Sequence, residues 1–94
     1  MSELLENSEL GDALKRIPSW DQEGKTIHRL VEFDEFMDAI DFVNLVAEIA
    51  EEAQHHPDLD IRYNRVNVSL TTHDAGGLTD ADIEVAQRID NLVD

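Results

Sequence analysis

Cysteine is absent from this sequence, and its absence excludes three kinds of chemistry. Without thiols the chain cannot form disulfide bonds, use a thiolate as a nucleophile or bind zinc through sulfur. Any reactive or ligand-binding group must therefore be an oxygen or nitrogen side chain. Packing rather than cross-linking must hold the fold together.

Positive charge is scarce as well. Against 22 Asp and Glu residues stand 7 Lys and Arg residues, which gives a formal net charge of -15. Nucleic-acid affinity comes largely from Lys and Arg side chains that displace counterions from phosphates, so direct binding to DNA or RNA is not expected. The same surface would repel anionic lipids.

Long apolar runs are also missing from the sequence. No stretch approaches the roughly 20 apolar residues that a membrane-spanning helix needs, and residues 1–10 lack the basic and apolar segments of a signal peptide. We therefore expect a cytoplasmic protein. The length of 94 residues predicts a single domain over residues 1–94, in which residues 1–7 fray.

The N-terminal third of the chain predicts a short helix followed by paired strands. Ser8 can cap a helix that Pro18 ends. The apolar side of this helix is narrow and consists of Leu10, Ala13, Leu14 and Ile17. Residues 25–33 alternate between apolar and polar side chains, as a strand does, and a short strand near Trp20 can pair with them.

A long helix is predicted from an N-cap at Asp34 to about Gln54. Its predicted core stripe consists of Phe36, Ile40, Val43, Ala47 and Ala50. At about 100° per residue, a second apolar face lies nearly opposite this stripe and consists of Phe42, Leu45 and Ile49. One sheet cannot cover both faces. The N-terminal helix or a loop could cover the second face, but we favour an interface between subunits.

The C-terminal half predicts a β-hairpin and a final helix. Residues 59–63 and 66–72 alternate in the manner of paired strands. Their predicted buried residues are Leu59, Ile61, Tyr63, Val66, Val68 and Leu70. Thr79 and Asp82 then form a carboxylate version of a capping box for the last helix. This order of elements predicts an α+β fold, with an antiparallel sheet covered by helices on one face.

Three of the four histidines lie at the ends of predicted elements rather than within apolar stripes. His55 and His56 end the long helix, and His73 follows the last strand. Neutral imidazole can accept a proton and imidazolium can donate one near neutral pH, so these side chains suit general acid–base catalysis. Glu51 lies one turn before His55, where its carboxylate could orient the ring. The fourth histidine, in mid-strand, is expected to be exposed.

A metal site is the alternative interpretation of these residues. Three histidines together with Glu51 form a set of ligands that zinc accepts. However, His55 and His56 are adjacent and therefore lack the helical i, i+4 spacing that turns two rings toward one ion. We expect neither a metal ion nor a cofactor.

Taken together, two segments of the chain closely resemble the signature segments of the pterin-4a-carbinolamine dehydratase family. They are residues 51–58 (EEAQHHPD) and residues 72–79 (THDAGGLT). Further residues that fit the family's pattern are Trp20, Phe33, Asp34, Glu35, Phe36, Ala39 and Phe42. The resemblance covers about residues 20–90. The chain departs from some relatives at Gln54, where they have an acidic residue, and at Leu59, where they have an aromatic one.

The resemblance implies a fold and an activity. The family fold is a four-stranded antiparallel sheet with helices packed on one face. Its members dehydrate 4a-hydroxytetrahydropterin to the quinonoid dihydropterin, a step of tetrahydrobiopterin recycling that needs no redox cofactor or Lewis acid. Many members are dimers or tetramers in which the long helix makes contacts. Animal relatives also bind a transcription factor, so the alternative is an interaction module without catalysis.

The resemblance also implies roles for individual residues. His55 and His73 match the family's general acid and base. His56, Glu51 and Asp74 are expected to bind the pterin substrate. Subunits are expected to associate as a homodimer or homotetramer through Phe42, Leu45 and Ile49 of the long helix.

Overall fold

The computed structural model describes residues 3–94, and within them three α-helices, four strands and one short 3₁₀ turn follow one another. The elements are α1 (Asn7–Leu14), β1 (Asp21–Glu23), β2 (Thr26–Glu32), α2 (Phe36–Ala53), β3 (Asp58–Arg62), β4 (Arg65–Leu70), the 3₁₀ turn (His73–Ala75) and α3 (Asp80–Val93). In this part of the chain no helix is long and apolar enough to cross a membrane.

The four strands form one antiparallel sheet in the order β1-β2-β4-β3. Strand β4 lies inside the sheet, and its apolar residues Val66, Val68 and Leu70 are buried, as predicted. The α+β fold class is therefore confirmed. Strand β3 lies at the edge, where the helices cover it less, so that Ile61 is 40% exposed and Tyr63, just beyond the strand, is 70% exposed. The prediction that both are buried is wrong.

The buried face of the long helix α2 differs from the predicted one. Its buried residues are Ala39, Phe42, Val46 and Ala50. Of the predicted core stripe, Ala50 is buried, Ile40 and Val43 are half-buried, and Phe36 and Ala47 are exposed. Phe42 is 3% exposed, so it belongs to the core of the protein and cannot form a subunit interface. Both sides of the helix carry apolar residues, so the sequence pattern alone does not decide which side is buried.

The N-terminal segment begins its helix earlier than predicted. Ser8 lies inside α1, and the N-cap is Glu6, whose backbone N–H donates to the Glu9 side chain at 3.1 Å. Residues 1 and 2, part of the segment expected to fray, lie outside the described residues. The backbone N–H of Leu5 donates to the carbonyl of Leu78 at 3.0 Å, which ties the start of the chain to the segment before α3. The long helix, by contrast, starts one residue later than predicted, with Glu35 as its N-cap.

A partly buried cluster of charged side chains and an indole joins β2 to α3. Arg29 lies between the buried residues Ile27 and Val31, and all three are on the side of β2 that faces the helices. Its guanidinium donates to Asp90 at 2.5 Å and to Asp94 at 2.9 Å. The indole Nε1 of Trp20 donates to the same Asp90 oxygen at 2.8 Å. The hydrogen bond from Arg29 lowers the pKa of Asp94, and the bond to Asp94 raises the pKa of Arg29.

Candidate active site

His55 is positioned by the way α2 ends. Gln54 adopts the left-handed conformation, with φ of 51°, and this conformation stops the helix and reverses the chain. The backbone N–H of His55 then donates to the carbonyl of Ala50 at 3.1 Å, and this carbonyl also accepts the N–H of Gln54. Pro57 prevents any continuation of the helix. The result is a rigid turn that directs His55 toward α3.

The ring of His55 meets a buried carboxylate from α3. His55 Nε2 lies 2.5 Å from Asp82 Oδ1, and the Asp82 side chain is fully buried. The prediction that Glu51 orients His55 is wrong. The turn at Gln54 removes His55 from the helical i, i+4 geometry on which the prediction depended.

Glu51 contacts the neighbouring histidine instead. Its Oε2 lies 2.5 Å from His56 Nε2. Both side chains are largely exposed, at 77% for Glu51 and 61% for His56. An exposed pair of this kind contributes at most about 1 kcal/mol to stability, because water screens it. The two histidines therefore have similar partners in very different surroundings.

His73 is presented by a tight turn at the end of β4. The N–H groups of Ala75 and Gly76 donate to the carbonyl of Thr72 at 3.1 and 3.0 Å. Gly76 has φ of 79°, a conformation that glycine adopts without strain. At Gly77 a Cβ atom would lie 2.9 Å from a terminal methyl group of Leu4, so a larger residue would require the Leu4 side chain to shift. His73 itself is exposed.

The two segments meet at one cleft. It has a volume of about 240 Å³ and is lined by Gln54, His55, His56, Thr71, Thr72, His73 and Asp74. The structure therefore brings together His55, His56, His73 and Asp74, although the helix end and the strand end are far apart in sequence. Glu51 is not part of the lining and reaches the cleft only through His56. His28 lies elsewhere: it is half-buried, rather than exposed as predicted, on the sheet face that carries no helix.

A larger depression of about 500 Å³ runs along the outer side of α3, but it contains no histidine. The smaller cleft is the better candidate because its three imidazoles can donate and accept protons. Among residues 3–94, no group of three or more His, Cys, Asp or Glu side chains is arranged to hold a metal ion. Two of the histidines already direct Nε2 at carboxylates.

Asp82 is the site residue that sequence reasoning missed. Its sequence position predicts a capping box, and that prediction is correct, since Asp82 Oδ2 accepts the backbone N–H of Thr79 at 2.9 Å. The same carboxylate also contacts His55, which is 27 residues away in the chain. Nothing in the local pattern distinguishes a capping aspartate from one that also contacts a histidine.

The chain is similar to known proteins in sequence. The family model described as pterin 4 alpha carbinolamine dehydratase matches residues 3–92. A protein of Thermomicrobium roseum is 48% identical over 88 residues, which cover 94% of this chain and 95% of that protein. One of Acidobacterium capsulatum is 52% identical over 82 residues, covering 87% and 89%. The names of both assign them to pterin-4-alpha-carbinolamine dehydratase.

Two solved structures are also similar. The transcriptional coactivator/pterin dehydratase from Brucella melitensis matches with a TM-score of 0.91 and 34% identity, covering 96% of this chain and 98% of that one. A pterin dehydratase-like protein identified as a RuBisCO assembly factor in the alpha-carboxysome matches with a TM-score of 0.68 and 26% identity, covering 79% and 88%.

Proposed function

Because the chain belongs to the pterin-4a-carbinolamine dehydratase family, a family of hydro-lyases, we propose that it dehydrates 4a-hydroxytetrahydropterin to the quinonoid dihydropterin. The observation that carries this proposal is the convergence of three histidines on one cleft of about 240 Å³. A flat heterocycle in that cleft would have imidazoles from two different segments within reach.

The chemistry requires two proton transfers. The bond between the 4a carbon and its hydroxyl breaks, and that oxygen leaves as water once it has received a proton. The adjacent ring nitrogen loses a proton, and the electrons of its N–H bond form the new carbon–nitrogen double bond. We assign these transfers to His55 and His73, one as acid and the other as base, and each is worth about 10²- to 10⁴-fold in rate.

The remaining residues would hold the substrate. His56 lines the cleft, with Glu51 holding its ring from outside, and Asp74 lies beside His73. We assign substrate binding to these three side chains. The chain would act as a single domain in the cytoplasm, in the recycling of tetrahydrobiopterin.

The proposal includes self-association of the chain. The face of α2 that we assign to this contact differs from the one predicted from the sequence. The exposed apolar side of that helix starts at Phe36 and Met37, which are 43% and 59% exposed. The ring of Phe36 stacks on Tyr63 of the β3–β4 turn, with centroids 6.3 Å apart. Such contiguous apolar surface is typical of contacts between subunits. We propose that a second copy of the chain packs against this surface.

The alternative is an interaction module without catalysis. It is supported by the names of the two similar structures, one a coactivator and the other an assembly factor. An interaction module does not need histidines grouped in a cleft. Failure to act on the pterin, together with stable binding of a regulatory protein, would favour this alternative.

The test is stopped-flow measurement of carbinolamine breakdown with and without the protein. We expect acceleration by the wild type, also in the presence of a chelator, and a fall in kcat of about 10²-fold or more for His55→Ala and for His73→Ala. His28→Ala, on the opposite face of the sheet, is the control and should retain the wild-type rate. Wild-type rates in either cleft variant would contradict the assignment of that histidine.

A further inference from the structure

Asp82 makes more contacts than a capping residue needs. Its Oδ2 accepts the backbone N–H of Thr79 at 2.9 Å and the hydroxyl of Thr72 at 2.8 Å. The part of Asp82 in the capping box of α3 needs this oxygen alone. The other oxygen, Oδ1, faces His55 Nε2 at 2.5 Å. One fully buried carboxylate therefore joins the N-terminus of α3, the end of β4 and the end of α2.

The direction of each hydrogen bond in this network follows from the protons available. Thr72 has one hydroxyl proton and gives it to Asp82, so the hydroxyl of Thr79, 2.8 Å away, must donate to Thr72. The Thr79 oxygen in turn accepts the N–H of Ala81 at 3.3 Å. The hydroxyl of Thr72 and the backbone N–H of Thr79 are thus both donors to the carboxylate. An ionised carboxylate has no hydrogen to give, so beside ionised Asp82 the Nε2 atom of His55 must also be a donor.

We infer that Asp82 is a positioning residue that holds the neutral ring of His55 in the tautomer with its proton on Nε2. Nδ1 is then the ring nitrogen that exchanges a proton with the substrate. The role of Nδ1 toward a substrate rests on the proposed function, but the tautomer of His55 is a property of the protein alone. A hydrogen bond at one ring nitrogen fixes which form the other nitrogen presents.

The three imidazoles of the cleft differ in how firmly their hydrogen-bond partners are held. His56 also faces a carboxylate, but that of Glu51 is exposed and can move away. Asp82 cannot, because it is fixed by α3 and by Thr72. The network thus preorganises one histidine before the substrate arrives, which spares the reaction the cost of orienting that ring.

The test measures the tautomer directly. Long-range proton–nitrogen NMR spectra of the ligand-free protein, recorded as the pH is raised until the His55 signals stop changing, distinguish a protonated Nε2 from a protonated Nδ1. We expect His55 to carry its proton on Nε2. In Asp82→Asn, the amide oxygen should keep the place of Oδ2, where two donors point at it. Its NH₂ group would then face His55 and force the proton onto Nδ1.

The same variant should lose activity through kcat. We expect Asp82→Asn to lower kcat by about 10²- to 10⁴-fold while KM changes by only a few-fold, because the ring stays in place with the wrong nitrogen protonated. Asp90→Asn is the matched control: it lies on the same helix and binds Trp20 and Arg29 instead of a histidine. It should lower the melting temperature but leave the His55 tautomer and the kcat of the folded protein unchanged.

The outcomes separate the inference from the proposed function. A proton on Nδ1 of wild-type His55 overturns the inference, even if Asp82→Asn does not fold. So does a normal kcat in Asp82→Asn when the wild type is active. If the wild type does not act on the pterin but carries the proton on Nε2, the positioning role stands and the proposed function fails.

Discussion

At the scale of single residues, the three cleft histidines could be found from the sequence and their partners could not. The histidines lie in two contiguous segments whose residue types form a recognisable pattern. Their partners depend on geometry that the pattern does not contain. The left-handed turn at Gln54 redirects His55 to Asp82 and leaves Glu51 to His56.

Gln54 itself gives a prediction about stability. A left-handed conformation costs a residue with a Cβ atom about 1–2 kcal/mol, and glycine avoids this cost but loses about 0.5–1 kcal/mol through its more flexible unfolded state. We therefore expect Gln54→Gly to stabilise the protein by about 0.5–1 kcal/mol, which thermal unfolding would show as a rise of a few degrees in Tm.

The control for this substitution is the preceding residue. Ala53 lies in the last turn of α2 with helical conformation, so Ala53→Gly should destabilise the protein by about 0.5–1 kcal/mol. A drop in Tm for Gln54→Gly would mean that the glutamine side chain contributes more than its strained backbone costs. Activity has to be measured separately, since Gln54 lines the cleft.

At the scale of elements, periodicity predicted the type of each helix and strand but not always the covered face. β4 has one apolar side, so its buried residues were predicted correctly. α2 is apolar on more than one side, and only the tertiary packing decides that Ala39, Phe42 and Val46 are buried. The capping box of α3 was predicted correctly because its two residues, Thr79 and Asp82, are close together in the sequence.

The connection between β2 and α3 predicts a pH dependence of stability. Because Arg29 lowers the pKa of Asp94 in the folded state, the ionised carboxylate stabilises the fold at pH above its ordinary value of 3.8. This stabilisation is lost as the pH falls through the lower, folded-state pKa. We expect the free energy of unfolding of the wild type to exceed that of Asp94→Asn at neutral pH, and the difference to shrink below about pH 4.

Urea unfolding at a series of pH values measures this difference. In an Arg29→Gln background, the Asp94→Asn substitution should no longer produce a pH-dependent difference, because the guanidinium that causes the pKa shift is gone. A difference that persists in that background would show that another group holds the carboxylate.

At the scale of the whole molecule, charge and apolar surface are distributed unevenly. The chain has a net charge of -15, yet five of its exposed large apolar residues belong to α2 or to the β3–β4 hairpin: Phe36, Met37, Leu45, Ile61 and Tyr63. Within α2 these residues do not form one face. Phe36 and Met37 adjoin half-buried Ile40, whereas Leu45 lies on another side among the exposed Asp41, Glu48 and Glu52.

This arrangement predicts which substitution prevents self-association. Met37→Glu would place a charge in the apolar surface between copies, so we expect it to reduce the mass measured by light scattering to that of the monomer. Leu45→Glu adds the same charge to a side that is already acidic, and it should leave the assembly intact. The reverse result would place the interface on the side of α2 that carries Leu45.

Salt gives an independent check on the same surface. Two copies that each carry a net charge of -15 repel one another, and this repulsion is screened as the Debye length falls from about 10 Å at 0.1 M salt to about 3 Å at 1 M. Apolar contacts do not weaken under these conditions. The wild type should therefore associate more tightly as salt increases, while Met37→Glu, which lacks the apolar contact, should remain monomeric throughout. Weaker association of the wild type at high salt would indicate that ion pairs hold the subunits together, and would contradict an apolar interface on α2.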